Sequence, residues 1–413
     1  MVIGDLPNGW TWTTLGEAFK WGSGGTPSRS VPEYYGGKIP WAIIGDLNDG
    51  VVLETAEMIT EEGLKNSSAK LVEEGSILIA MYGSIGKLGI ASKSLATNQA
   101  IAFTKPTSAN PKFLFYYLLK ERNNLNSLGS GNTQKNISQT IIKAYPFPVV
   151  PLLEQERIVA KIEELFTQLE AGTAALERVQ AGLKRYKASV LKAACEGRLF
   201  GDVKLGNENL PANWKWIKVK EAGKVQLGRQ RAPKHHEGTH MRPYLRVANV
   251  FEDRIDLTDV KEMNFTPAEY EIYKLEYGDI LLNEGQSPEF LGRPAMYKGE
   301  LPGGCFQNTL IRFQAFDFVD RNFALIVFRH YLHAGRFTNE SQITTNIAHL
   351  SAGRFSEIEF PLPPLEEQRR IVAEVERRLS LAAGVESTLA VSMSRAGRLR
   401  QAILKSAFEG RLV

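Results

Sequence analysis

FPVVPLLEQERIVAKIEEL at 147–165 reappears as FPLPPLEEQRRIVAEVERRL at 360–379, with Gln155, Arg157 and Ile158 facing Gln368, Arg370 and Ile371. The same doubling runs through the whole chain. LPNGWTW (6–12) returns as LPANWKW (210–216), and PWAIIGDL (40–47) as PYLRVANV (243–250). GSILIAMYG (75–83) is matched by GDILLNEG (278–285), each followed by a Gly-Lys or Gly-Arg pair at Gly86-Lys87 and Gly292-Arg293. ATNQAIAF (96–103) aligns with FQNTLIRF (306–313) on Asn98 and Asn308, and TQKNIS (133–138) with ITTNIA (343–348). Each half closes on the same words, LKAACEGRL (191–199) and LKSAFEGRL (404–412). Two copies of one long unit, differing in loop length, account for the pattern.

The stretch after each quoted segment has a helical beat. No proline occurs between Leu153 and Pro211, and Ile158, Ile162, Leu165, Leu169, Gly172, Leu176, Val179, Leu183, Tyr186, Val190 and Ala193 follow a four-three spacing. In the second copy Val372, Val375, Leu379, Ala382, Leu389, Met393, Ala396, Ile403 and Ala407 keep the same beat, with Glu386 and Arg400 as polar interruptions. Such heptads predict coiled-coil helices roughly 50–60 Å long. An apolar stripe cannot stay in water, so the two helices are expected to bury each other. The regions before them are mixed. Short β-rich runs are punctuated by Gly, Asn, Ser and Pro, and a helix in each half begins at Asn110-Pro111 or within RNFALIVFRHYLHAG (321–335). The predicted fold is α+β: two globular heads, 1–150 and 201–360, joined by two long antiparallel coiled-coil helices, 151–200 and 361–413, in an internal pseudo-two-fold repeat.

Composition bounds the rest. At 413 residues, 43% hydrophobic and 23% charged, the chain reads as a soluble protein of two or more domains. It has no run of eighteen apolar residues for a membrane span, and MVIGDLPNGW lacks a secretory pattern. Two cysteines, Cys195 and Cys305, fit a reducing cytoplasm. A net charge of +4 permits nucleic-acid binding without arguing for it.

Taken together, the Pro-x-x-Trp start of each half, the Gly-Lys/Arg turn, the P-L-x-E-Q-x-x-I-V-A helix starts at 151–160 and 364–373, and the E-G-R-L ends resemble the specificity subunits of type I restriction–modification systems. The resemblance covers essentially the whole chain. It implies two target-recognition domains, each reading one half of an interrupted, asymmetric site in double-stranded DNA, with the paired helices setting the gap. It also implies modification subunits docked on those helices, which bring adenine methylation by S-adenosylmethionine, and restriction subunits using ATP and magnesium; the pseudo-two-fold repeat itself suggests two equivalent docking surfaces, hence two modification subunits. No cofactor and no catalysis are expected of this chain itself.

Read for chemistry, the residues agree. MYGSIGKLG has Met81 and Leu88 where a phosphate loop needs Gly and Ser or Thr. Asn110-Pro111-Lys112-Phe113 reads as a helix start rather than a methyltransferase pocket, and His235, His236 and His240 lack zinc spacing. DNA contact calls for cations and polar side chains on Gly-rich loops. In the first head these are Thr26, Ser28, Arg29, Tyr82, Ser84, Lys87, Gln134, Lys135 and Asn136; in the second, Arg229, Gln230, Arg231, Lys234, Gln286, Arg293, Thr344, Thr345 and Asn346. A protein-binding adaptor built on the same helices, and a stand-alone DNA enzyme, remain as rival readings.

Overall fold

The computed structural model describes residues 6–105, 109–131, 135–201, 210–344 and 347–412. The chain divides into two compact units, 1–176 with 390–413, and 177–389, so each holds one head and a stretch of both long helices.

In the first head a five-stranded sheet runs in the order Trp21–Ser23, Ile101–Thr104, Ile77–Ala80, Leu88–Ala91, Gly50–Val52. Its central strand ILIA is buried at every position, as an unbroken apolar run requires. A four-stranded sheet of Glu57–Ile59, Tyr35–Ala42, Leu95–Thr97 and Leu71–Val72 lies beside it in the same head. Helix α1 (Pro111–Ser127) buries Phe113, Leu114, Tyr117, Leu118 and Leu125. It starts where the sequence says: the Asn110 side chain accepts from the Lys112 N–H at 3.0 Å, with proline at the first helical turn. Strand Thr11–Thr14 pairs with Pro146–Val149, closing the head on itself before the chain continues into α2 (Leu152–Cys195).

The second head repeats this plan. Its main sheet runs Gly223–Leu227, Leu310–Ala315, Ile280–Asn283, Pro294–Met296, beside a smaller sheet of Lys261–Asn264, Met241–Leu245 and Cys305–Phe306. Helix α3 (Arg321–His333) is capped by Asp320, whose carboxylate accepts from the N–H groups of Asn322 and Phe323. Its Phe323 and Phe328 pack edge-on to Phe360 in a fully buried aromatic core. Burying each such ring contributes on the order of 2–3 kcal/mol. Lys215–Lys218 pairs with Glu359–Leu362, and the chain enters α4 (Leu365–Ala407).

The repeated words around the helix starts form one joint, built twice. The Trp10 indole donates to Glu154 Oε1 at 3.0 Å, and the Trp214 indole to Glu367 Oε1 at 3.0 Å. Gln155 accepts from the Asn110 N–H at 3.1 Å and donates to the Val150 carbonyl at 2.8 Å. Gln368 accepts from the Asp320 N–H at 2.7 Å and donates to the Pro363 carbonyl at 2.9 Å. Tyr117 and Tyr331 complete it by donating to the carbonyls of Pro146 and Glu359. These amides sit in the buried core, where an unmade hydrogen bond is costly, so the joint ties each head to the start of its helix.

The E-G-R-L ends are helix stops. Gly197 and Gly410 have φ of +71° and +66°, and the next residues, Arg198 and Arg411, donate back to the carbonyls of Ala193 and Ser406, both at 2.9 Å. This is the closing pattern that a left-handed glycine permits. A Cβ on Gly197 would lie 2.2 Å from Pro211, and one on Gly410 2.3 Å from Pro7, so each stop needs glycine where the proline of a Leu-Pro packs against it.

The helices run antiparallel in both units. In the first, Ile158, Ile162 and Phe166 share a core with Ile403, Leu404, Ala407 and Phe408. In the second, Val190, Leu191 and Ala194 share one with Ile371, Val372 and Val375. The polar interruptions of α4 are answered by α2: Glu386 pairs with Lys187 at 2.8 Å, and Arg400 with Glu170 at 3.5 Å while lying over the Phe166 ring. The α2 seam is looser at its middle than its spacing predicts, since Gly172, Val179 and Tyr186 are exposed. Glycine has no side chain to bury, and a 3.6-residue turn drifts about 20° per heptad off a strict seven-residue repeat.

Candidate nucleic-acid interface

In the first head the loops that carry Thr26 to Arg29, Tyr82 to Lys87, and Lys135 with Asn136 are tied through the backbone to one another or to the segment 97–100. Gly25 N–H donates to the Thr97 carbonyl, Met81 N–H to the Ala100 carbonyl at 2.8 Å, and Ile137 N–H to the Met81 carbonyl at 2.9 Å. Tyr82 and Asn136 form a β-bridge, as do Ser130 and Asn136. The exposed side chains here are Ser28, Arg29, Tyr82, Ser84, Lys135 and Asn136; Gln134 lies outside the described residues. Arg29 is committed in part: it forms a two-pronged ion pair with Glu57 and stacks on the Tyr35 ring at 4.5 Å. That hydrogen-bonded guanidinium holds the Glu57 carboxyl below its usual range. Thr26 donates to the side chain of Gln99, Ser28 and Ser30 share a hydrogen bond, and Lys87 donates to the Ile44 carbonyl at 3.3 Å. Gly86 serves the turn, with φ of +78° and Arg122 bracing its carbonyl at 2.8 Å.

The second head joins the loop that carries Gln286 to the one that carries Thr344 more fully. Gly285–Gln286 pairs with Ile347–His349, which pairs with Gln342–Thr344, in a three-stranded ribbon. Gln230 and Arg231 are exposed, and Arg231 donates to His236 Nε2 at 3.1 Å. Gln286 is partly buried and accepts from the Ser287 N–H. Arg229 is buried instead, clamped by Glu269 at 2.8 Å and by the Asn264 carbonyl at 2.5 Å over the Phe265 ring. Arg293 donates to the Val250 carbonyl at 3.0 Å and stacks on Phe251, and burial pushes its guanidinium down. Both arginines thus act within the fold. Thr345 and Asn346 lie outside the described residues, and only the backbone is described at Lys234 and Thr344. Among the described residues no cluster of His, Cys, Asp or Glu is arranged to hold a metal ion, and no helix is long and apolar enough to cross a membrane.

Backbone bonds correct two of the sequence alignments. Asn98 N–H donates to the Ala42 carbonyl and Gln307 N–H to the Leu245 carbonyl, so Asn98 corresponds to Gln307 rather than Asn308. Ile137 and Leu350 occupy the same slot, donating to the carbonyls of Met81 and Glu284 at 2.9 and 2.8 Å. Ser138 and Ser351 each cap the short helix that follows. The counterpart of Asn136 is therefore His349, three residues beyond Asn346. The shared Asn-Ile pair misled the alignment, whereas the Ser that caps the next helix was the usable signal. His349 is half exposed, with Nδ1 3.4 Å from the Glu284 carboxylate, and sequence reasoning singled out neither residue.

The profile of a family described as "Type I restriction modification DNA specificity domain" matches twice, over residues 7–179 and 211–378. The "Type I restriction enzyme StySPI specificity subunit" of Salmonella potsdam is 26% identical over 442 residues, spanning all of this chain and 91% of that protein. The EcoKI specificity subunit of Escherichia coli (strain K12) is 25% identical over 436 residues, with the same coverage. Among solved structures, a chain from work on complex assembly and conformational transition of the type I R-M system superposes with a TM-score of 0.78 at 21% identity, covering 99% of this chain and 100% of that one. The HsdS subunit of Thermoanaerobacter tengcongensis gives 0.61 at 21% identity, with 99% of both covered. With two family domains spanning most of its length, one per head, the chain belongs to the type I restriction–modification DNA specificity family.

Proposed function

We propose that this chain is the non-catalytic reading subunit of a type I restriction–modification enzyme. Each head binds one part of a bipartite, interrupted and asymmetric DNA site. The two long helices set the gap between the parts and hold two modification subunits and the restriction subunits. Methylation with S-adenosylmethionine, and ATP- and magnesium-dependent work, belong to those partners. The observation that carries the reading is the repeated loop frame. Both heads mount a polar loop pair on the same backbone bonds, yet fill it with different side chains, as two different half-sites need.

The test is co-expression with a cognate modification subunit, in cells free of other methylation, and mapping of methylated adenines by single-molecule sequencing. A two-part interrupted motif that loses one part when residues 201–360 are exchanged for another head is the expected result. An assembled complex with no such motif overturns the proposal in favour of a protein-binding adaptor.

A further inference from the structure

We infer that Asn136 in the first head and His349 in the second are equivalent specificity-determining residues, each reading one part of the DNA site. The inference rests on the DNA-reading function proposed above and assigns that function to a position. The position is fixed to the backbone in the same way twice. Ahead of it, strands Ile77–Ala80 and Ile280–Asn283 deliver Met81 and Glu284, whose N–H groups donate to the carbonyls of Ala100 and Thr309 at 2.8 and 2.9 Å. Behind it, Ile137 and Leu350 are buried and return hydrogen bonds to the carbonyls of Met81 and Glu284. Two residues on, Ser138 and Ser351 start a helix. Asn136 and His349 are thus held between a buried anchor and a β-bridge to Tyr82 or Gly285, with their side chains outward.

A reading residue needs a rigid mount and a polar tip, and the sequence changes only the tip. Asn136 offers an amide, which can donate and accept at once, as the N6 and N7 edge of adenine demands. His349 offers an imidazole with Glu284 at 3.4 Å from Nδ1. With Nδ1–H turned to that carboxylate, Nε2 is left as an acceptor for the exocyclic amino group of a base. Neighbours on the same frame also differ, Tyr82 and Ser84 in one head against Gln286 in the other, so the two heads present different donor and acceptor sets.

The test uses the full complex with its modification subunit and compares methylated motifs for wild type, Asn136→Asp, Asn136→Ala and His349→Ala, with thermal unfolding of each variant as a folding control. His349→Ala should relax one or two positions in one part of the motif, and Asn136→Ala positions in the other part, with the gap unchanged. Asn136→Asp, which keeps the shape and removes the donor, should shift base preference at the same positions by tenfold or more. Unchanged motifs in folded variants overturn the inference while leaving the function intact. Equal weakening of both parts by either variant also overturns it. A wild-type complex without a two-part motif overturns the function itself.

Discussion

Lys187 of α2 and Glu386 of α4 meet at 2.8 Å within the second unit, and Glu386 stands where the heptad beat of α4 calls for an apolar side chain. Both are about one-third exposed, so the pair serves register more than stability. Glu386→Lys should destabilise by about 1 kcal/mol, and adding Lys187→Glu should recover most of it. A double-mutant cycle by urea unfolding measures this, and the coupling should shrink at high salt.

Replacing Gln368 by Leu leaves the Asp320 N–H and the Pro363 carbonyl without partners in a buried joint. The expected cost is about 1–3 kcal/mol, with a smaller loss for Gln155→Leu in the less buried copy. Chemical denaturation followed through the Trp214 and Trp10 fluorescence, whose indoles belong to the same joints, reads both.

Glycine has two meanings in this chain, and alanine separates them. Gly410→Ala must place a Cβ at positive φ against Pro7 and should cost about 1–2 kcal/mol or more, as should Gly197→Ala against Pro211. Gly172, helical and with open space around it, should gain up to about 1 kcal/mol on substitution by Ala. Melting temperatures should move in opposite directions.

The second head carries an acid-sensitive cluster. Burial would raise the Glu252 carboxyl, but hydrogen bonds and charge from His333 and Arg329 bring it down to about 2. A carboxylate with a lowered folded-state pKa gives stability that is complete above its unfolded value and lost as pH falls toward 2. His330, kept neutral by burial with a pKa near 4, adds a loss that begins as pH falls below about 6.5. Unfolding free energy should therefore decline between about pH 6 and 2, and Glu252→Gln should flatten the lower part of that curve.

Exposed and buried cations of the loops should behave differently toward DNA. Lys135→Ala and Arg231→Ala should weaken binding of the assembled complex about equally across sequences and lower the salt slope by about 1 each. Arg229→Ala, which strips a buried partner from Glu269, should instead lower thermal stability. Fluorescence anisotropy across a salt series, beside melting curves, distinguishes them.

The periodic parts of this molecule were legible in its sequence. Doubling of the Glu-Gln helix starts, the seam of α4 and the Asn110 cap all depend on local spacing, and the structure repeats each one. The loops were harder. Arg229 and Arg293 look like DNA contacts by composition, yet Glu269, the Asn264 carbonyl and the Val250 carbonyl take them, and those partners are distant in sequence. His349 was hidden because the loop before it differs in length, and only cross-strand hydrogen bonds restore its alignment with Asn136.

Within each joint, Gln155 and Gln368 reach only main-chain atoms, among them the N–H of Asn110 or Asp320 and the carbonyl of Val150 or Pro363, beside the indole of Trp10 or Trp214 on the helix-start glutamate. A main-chain grip is blind to which side chains a head carries. Any head that presents that amide and carbonyl at the same spacing, with a tryptophan to reach the helix-start glutamate, can be bolted on, so the surface that reads DNA is free to drift through mutation while the socket beneath it stays the same.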